Sequence, residues 1–185
     1  MRLYVFTFKK LLTNLIGVAV VVLLVLTNRT QSQTVFRTES IKTLPIYSVE
    51  TDKKVCALSF DAAWGAEDTD TLIEILGKYK AKATFFVVGE WVDKYPEEVK
   101  KLYKAGHDVM NHSNTHKYMT QLDNASMVSE VERCSDKIEK LLGKRPTLFR
   151  APYGDYNSNV VSKLLSMGYH TIQWDVETLA TVGNV

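Results

Sequence analysis

Between Lys54 and Trp174, short apolar runs alternate with longer stretches whose apolar residues recur every three to four positions. The runs are 55–60, 83–88, 108–110, 147–149 and 169–174, each of strand length. The stretches between them predict helices. Asp68 starts one carrying Leu72, Ile75, Leu76 and Tyr79, and Pro96 starts another with Val99, Leu102 and Tyr103, ended by Gly106. A long helix covers about 125–142, with Val128, Val131, Ile138 and Leu141 inward and Gly143 as its stop. Asn157 opens the last, with Val160, Val161, Leu164 and Leu165 on one face and Gly168 after it. Strands alternating with such helices predict an α/β fold with a parallel sheet, either open and doubly wound or part of a barrel. Burial on both faces explains the near-continuous apolar runs.

The first 50 residues read differently. Arg2, Lys9 and Lys10 precede an uncharged stretch, 11–27, that as a helix spans roughly 25 Å, near the lower limit for crossing a bilayer. It is apolar all round and lacks a small-x-small cleavage site, so a signal anchor is expected over residues 1–27 in preference to a cleaved signal peptide. The basic flank places the remainder outside the cytoplasm, in the envelope or secreted if the segment is cleaved. Residues 28–50 are polar and aperiodic and read as a linker, although Thr43-Leu44-Pro45-Ile46-Tyr47 can form an extended edge segment. The domain proper is 51–185. Its net charge of +2 carries no basic stripe, so no nucleic-acid partner is expected. Cys56 and Cys134 read as buried free thiols, with a disulfide between them left open.

Polar residues cluster where strands end. Asp61 ends the first, His112 and His116 follow the third, Arg150 ends the fourth and Trp174 the fifth. In parallel α/β folds those ends share one rim, where ligands bind. His112 and His116, four residues apart, reach one divalent ion if they lie on a helical turn. Two imidazoles, a carboxylate and water suit Zn²⁺ or a similar metal such as Co²⁺. Asp61 is the candidate general base and Arg150, a planar donor fork, its holder. The alternatives are a helix cap for Asp61 and a structural ion pair for Arg150. The tripeptide Pro152-Tyr153-Gly154 offers a rim N–H as an oxyanion donor. Trp64, Tyr153 and Trp174 are the candidate substrate contacts, the two tryptophans as faces for a sugar ring or else as core packing. His107 and His170 have no such context, and Tyr118 and Met119 are expected to pack under the loop.

With these residues in place the chain resembles the polysaccharide deacetylases of carbohydrate esterase family four, the NodB-homology domain. Ser59-Phe60-Asp61 matches the first family motif, His112-Ser113-x-x-His116 the second and Arg150-x-Pro152-Tyr153-Gly154 the third, within a resemblance covering 55–177. The Asp61-Ala62-Ala63-Trp64-Gly65 version, with its N-terminal anchor, looks most like sporulation-associated members. The resemblance implies a distorted (β/α) barrel and metal-dependent hydrolysis of the acetamide C–N bond in N-acetylated cell-wall glycan, peptidoglycan or chitin-like. It assigns Asp61 as base, His112 and His116 as metal ligands and Arg150 as the group holding the base. Three departures accompany it. The family's second Asp, a metal ligand, is Ala62; Ala180 and Thr181 stand where an Asp-Trp pair belongs; and a late catalytic His has no counterpart up to Val185. The expectation is an incomplete barrel from a truncated product, with strand five an exposed parallel edge. Its alternative function is that of a weak or inactive remnant that binds glycan.

Overall fold

The computed structural model describes residue 15, residues 17–20, residue 22 and residues 43–177. The chain separates into residues 1–41 and 42–185. In the first unit the described positions, Leu15, 17–20 and Val22, are helical. No described helix is long and apolar enough to cross a membrane, and most of the predicted span 11–27 lies outside the described residues.

The second unit is built on five parallel strands: β1 (Leu58–Ala62), β2 (Ala83–Val87), β3 (Asp108–Asn111), β4 (Leu148–Phe149) and β5 (His170–Thr171). Their order in the sheet is their order in the chain. A doubly wound sheet reverses direction at a switch point, and this one does not. The winding is that of a (β/α) barrel, here as five consecutive strands. The helices are α1 (Thr69–Lys78), α2 (Gly89–Lys94), α3 (Pro96–Lys104), α4 (Asn124–Leu142) and α5 (Ser158–Ser166).

Local chemistry accounts for most of these boundaries. Asp123 caps α4 by accepting from Ser126 N at 2.7 Å, and Gly143 ends it in the left-handed conformation at φ 73°. Asn157 caps α5 through Val160 N. Asp68, expected to cap α1, makes no side-chain cap bond. The inward face of α1 is also rotated from the expected one. Thr69, Leu72, Ile73 and Leu76 pack inward, while Ile75 and Tyr79 are exposed. The short α2 had no sequence signal beyond Gly89, which reads as a strand terminator.

Two packed clusters hold the unit together. One joins β2 to α1, α2 and α3 through Phe85, Val87, Val88, Trp91, Val99 and Leu102, with Cys134 and Ile138 from α4. The other gathers Met119, Met127, Val131, Phe149, Val160, Leu164 and Tyr169. Strand alternation separates the faces of β2. Phe85 and Val87 join the first cluster, whereas Phe86 lies beneath Arg150, whose guanidinium carbon is 4.2 Å from the ring centroid.

The sheet's two margins differ from expectation. At β5, Ile46 donates to Thr171 O and accepts from Gln173 N, both at 2.8 Å, so the segment through residue 46 covers part of the edge expected to be bare. At β1, the first half of the expected strand is exposed, and Cys56 with it. Only Cys134 is a buried thiol; both cysteines are free, and burial pushes the Cys134 thiol up to about 12.

Candidate active site

The strand ends bring Asp61, His112, His116 and Arg150 to one mouth. Arg150 is 4% exposed and lies between aromatic rings, with Phe86 beneath and the Trp174 ring 5.6 Å from its guanidinium carbon. Its fork is divided between two acceptors. One nitrogen donates to Asp61 Oδ1 at 2.8 Å and the other to Ser59 Oγ at 2.7 Å. Asp61 and Ser59, two apart on β1, present the same face to it. Ser59 is thus part of the site, a role that its place in an apolar run does not reveal.

Asp61 Oδ2 faces His112 Nε2 at 3.7 Å. His112 is 2% exposed, and its Nδ1 pairs with Arg150 O at 2.8 Å. A carbonyl accepts only, so Nδ1 carries the hydrogen and the Nε2 lone pair is turned towards Asp61. Burial holds His112 below the ordinary imidazole range, against the pull of Asp61. The His116 ring lies 5.1 Å from that of His112, centroid to centroid. Burial, then the neighbouring His112, pushes His116 down to about 4. Both rings are held neutral.

The pair does not lie on a helical turn, as its spacing suggested. It sits on an irregular loop after β3, with Ser113 at φ 68° and His116 at φ 56°. Left-handed non-glycine residues cost of order 1–3 kcal/mol each and persist only where their surroundings hold them. Here the surroundings are extensive. Buried Asn111 donates to Val131 O and Ser135 Oγ and accepts from Ser113 N. Ser113 Oγ accepts from His116 N at 3.0 Å. The Glu130 carboxylate on α4, 6% exposed, accepts from Asn114 N, Thr115 N and Thr115 Oγ1 at 2.8–3.0 Å. Glu130 lies on the inward stripe Met127, Val131, Cys134, Ile138, where a charged residue was a visible signal for a role.

Aromatic rings surround His116. Tyr153 meets it edge-on at 4.5 Å and Trp64 at 5.1 Å, while Tyr118 stacks on Tyr153 at 4.1 Å. Met119 packs beneath the loop as expected, but Tyr118 remains 44% exposed. Trp64 is 68% exposed and is not core. Trp174 lies against Arg150 and close over Gly154, where an added Cβ would meet its Cη2 at 3.0 Å. In the rim tripeptide, Gly154 N already donates to Ala151 O at 3.1 Å. Pro152 has no N–H, which leaves Tyr153 N for the expected oxyanion role. His107 is structural, its Nδ1 accepting from Ala83 N at 3.3 Å.

Residues 48–172 match the polysaccharide deacetylase family. The chain belongs to that family. It is 38% identical over 130 residues to the peptidoglycan-N-acetylmuramic acid deacetylase PdaC of Bacillus subtilis, covering 70% of this chain and 27% of that protein. It is 33% identical over 146 residues to a peptidoglycan-N-acetylglucosamine deacetylase of Bacillus cereus, covering 77% and 53%. Among solved structures, BA3943 from Bacillus anthracis, described as a pseudoenzyme of carbohydrate esterase family four, superposes with a TM-score of 0.73 at 31% identity, covering 76% of this chain and 50% of that one. A BA3943 mutant described as having restored enzymatic activity superposes equally, at 33% identity. The chain spans between about a quarter and three-fifths of the length of the curated relatives it matches.

A divalent cation is implied by the family resemblance, and the residues fit one at two donors. The His112 Nε2 lone pair faces the mouth, both imidazoles are neutral, and His116 Nδ1 is buried with no hydrogen-bond partner. A third protein donor is not supplied. Ala62 has none to offer, and among the described residues no three His, Cys, Asp or Glu are grouped to hold an ion. Catalytic zinc sites use three protein ligands, so two imidazoles with water make a weaker site.

Proposed function

We propose that the chain takes part in removing acetyl groups from N-acetylated cell-wall glycan, peptidoglycan or a chitin-like polymer, outside the cytoplasm. The observation that carries this reading is the Arg150–Asp61 contact at 2.8 Å with the free Asp61 oxygen 3.7 Å from His112 Nε2. A water in front of that oxygen gives its proton to Asp61 as its own oxygen bonds to the acetamide carbon. The C–N bond then breaks, acetate leaves, and the amine takes the proton that Asp61 holds, which returns Asp61 to the carboxylate. Arg150 fixes the direction from which Asp61 reaches the water, since its second arm is tied to Ser59 on the same strand. The Tyr153 amide would steady the carbonyl oxygen as it gains charge. Held by His112 and His116, a divalent cation such as zinc or cobalt would polarise the carbonyl and acidify a nearby water. Relatives named as peptidoglycan deacetylases support this substrate class. The charge-free segment 11–27 with its basic flank supports a membrane anchor and an envelope location.

A second reading is glycan binding without turnover. It is favoured by Ala62, which leaves the cation two protein donors, and by the likeness to a pseudoenzyme. Acetate release from chitooligosaccharides and from peptidoglycan, with Zn²⁺ or Co²⁺ added, separates the two. Release that disappears in Asp61→Asn supports hydrolysis; binding without release from folded protein overturns it.

A further inference from the structure

Residues 43–47 lie along β5 and reach the loop that follows Arg150. The bridge from Ile46 to Ile172 is parallel, so the segment advances towards the same rim as the strands, and Tyr47 stands one step nearer the mouth. Pro45 is buried, its fixed φ suited to an extended strap and its missing N–H costing no bond. Thr43 Oγ1 accepts from Ser162 Oγ at 3.0 Å, which ties the near end to α5. At the far end the hydroxyls of Tyr47 and Tyr156 share a hydrogen bond of 2.5 Å.

Tyr156 closes the corner 152–156, and that corner is strained. Tyr153 at φ 60° and Gly154 at φ 65° are consecutive left-handed residues, the first of them not a glycine. Such a residue persists only where its surroundings hold it. Ties from three sides do so. Asp155 accepts from Thr120 N and Thr120 Oγ1 at 2.8–2.9 Å. Gln173 donates its side-chain Nε2 to Gly154 O at 3.3 Å, while its backbone N donates to Ile46 O. The third tie is Tyr47 on Tyr156. Two of the three therefore run through the strap or through the residue bonded to it. We propose that Tyr47 and Gln173 are positioning residues for the Tyr153 amide, acting as one clamp on the corner that carries it. Their task is to keep that N–H aimed at the acetamide oxygen. This role rests on the hydrolytic reading above and falls on two residues that flank the family match, 48–172.

Tyr47→Phe and Tyr156→Phe each remove one hydroxyl and keep both rings; Gln173→Met keeps the length without the donor. The Gly154 and Asp155 amides, bonded to Ala151 O and Pro152 O, report the corner directly. The tyrosine pair is exposed, which limits it to the net value of one hydrogen bond. In the full chain each variant should make these two amides exchange about fivefold faster, while Asn114 and Thr115 in the His loop keep their rates. The double tyrosine variant should do no more than either single one, since the hydroxyls act through each other. In acetate release each variant should lose about fivefold in kcat at unchanged KM, the mark of an interaction made in the transition state. Corner amides unmoved in the variants, tyrosine effects that add, or a change confined to KM overturns the clamp. Exchange needs no turnover. Acetate release with an unmoved corner sinks the clamp alone, and a loosened corner in a chain that releases no acetate sinks the hydrolytic reading alone.

Discussion

The two arms of the site are held in opposite ways. On the β3 side, Asn111, His112, Ser113 and Asn114 are at most 2% exposed, and their loop is strained, pinned by Glu130, Asn111 and the start of α2. On the β1 side, Asp61 stands on an edge strand with its side chain 31% exposed, and Arg150 is its one strong partner. The imidazoles are thus fixed by the core itself, whereas the carboxylate is delivered by a single guanidinium. The difference suits their tasks. In the proposed function the His pair is a ligand pair that must not move, and Asp61 is a base that must meet water.

If that division holds, the largest effect comes from the exposed arm and falls mainly on chemistry. Asp61→Asn keeps the shape and an acceptor oxygen and leaves Arg150 bonded to Ser59, so the loss of stability should be held to about 2 kcal/mol, the cost of removing the charge partner of a buried guanidinium. Acetate release should fall roughly 10²–10⁴-fold, the usual contribution of a general base. Urea unfolding and an acetate assay on one preparation check both halves. A variant that unfolds easily would show that the β1 arm also carries stability, and the contrast would fail.

On the buried arm the expected effect is nearly as large but lies in stability. Glu130→Ala leaves two buried amides and a hydroxyl without their acceptor and frees a loop with two left-handed residues. A loss of about 3 kcal/mol is expected. Glu130→Gln, which keeps one acceptor oxygen, should lose about half as much. Hydrogen exchange at the Asn114 and Thr115 amides locates the effect, since both should exchange faster while those of α5 do not. A loss below about 1 kcal/mol in the alanine variant would mean that other contacts hold the loop.

How much of this was legible in the sequence divides along the same line. The alternation of strands and helices reads clearly because each helix has a stripe and each strand a run. Asp61, Arg150 and the His pair stand out because polar residues at strand ends break those runs. The loop that shapes the pair is not legible. Positive φ at Ser113 and His116 comes from tertiary hydrogen bonds, and neither residue type advertises it. Glu130 is an intermediate case, since a carboxylate on an apolar stripe announces a buried partner without naming it. The expected burial of Cys56 failed because β1 is a sheet margin, and an apolar run says nothing about what covers it.

Position 62 tests whether the two arms can be made to share the cation. Ala62 ends β1, packed against the first cluster, and brings no donor. On the proposed metal reading, Ala62→Asp offers a third protein ligand beside the imidazoles. Zinc affinity by calorimetry, or the visible absorption of Co²⁺, should increase about tenfold or more, as the donor count reaches that of catalytic zinc sites. The apolar neighbours of residue 62 should make the metal-free variant about 1–3 kcal/mol less stable. No gain in affinity would show that the end of β1 does not reach the ion, leaving the imidazoles to hold it alone.

The smallest effect concerns the other end of the buried arm. His107, just before β3, is 4% exposed, accepts from Ala83 N through Nδ1 and packs on Phe85 at 5.4 Å. Accepting there requires the neutral ring. Burial, then nearby Lys82, holds His107 below the ordinary 6.5, with Asp108 opposing. A depressed histidine takes up its proton more readily in the unfolded chain. Its contribution is therefore complete above about pH 6.5 and is lost as pH falls below that value. His112 and His116 are depressed too, so the thermal midpoint of the parent chain should drop steadily through this window. His107→Asn puts an oxygen near the Nδ1 position without a titrating group. Its midpoint should fall less steeply with pH, and the remaining slope belongs to the site pair. An unchanged slope would place all of the acid sensitivity at the His loop, making the β3 arm dependent on its histidines only at the end where they face Asp61.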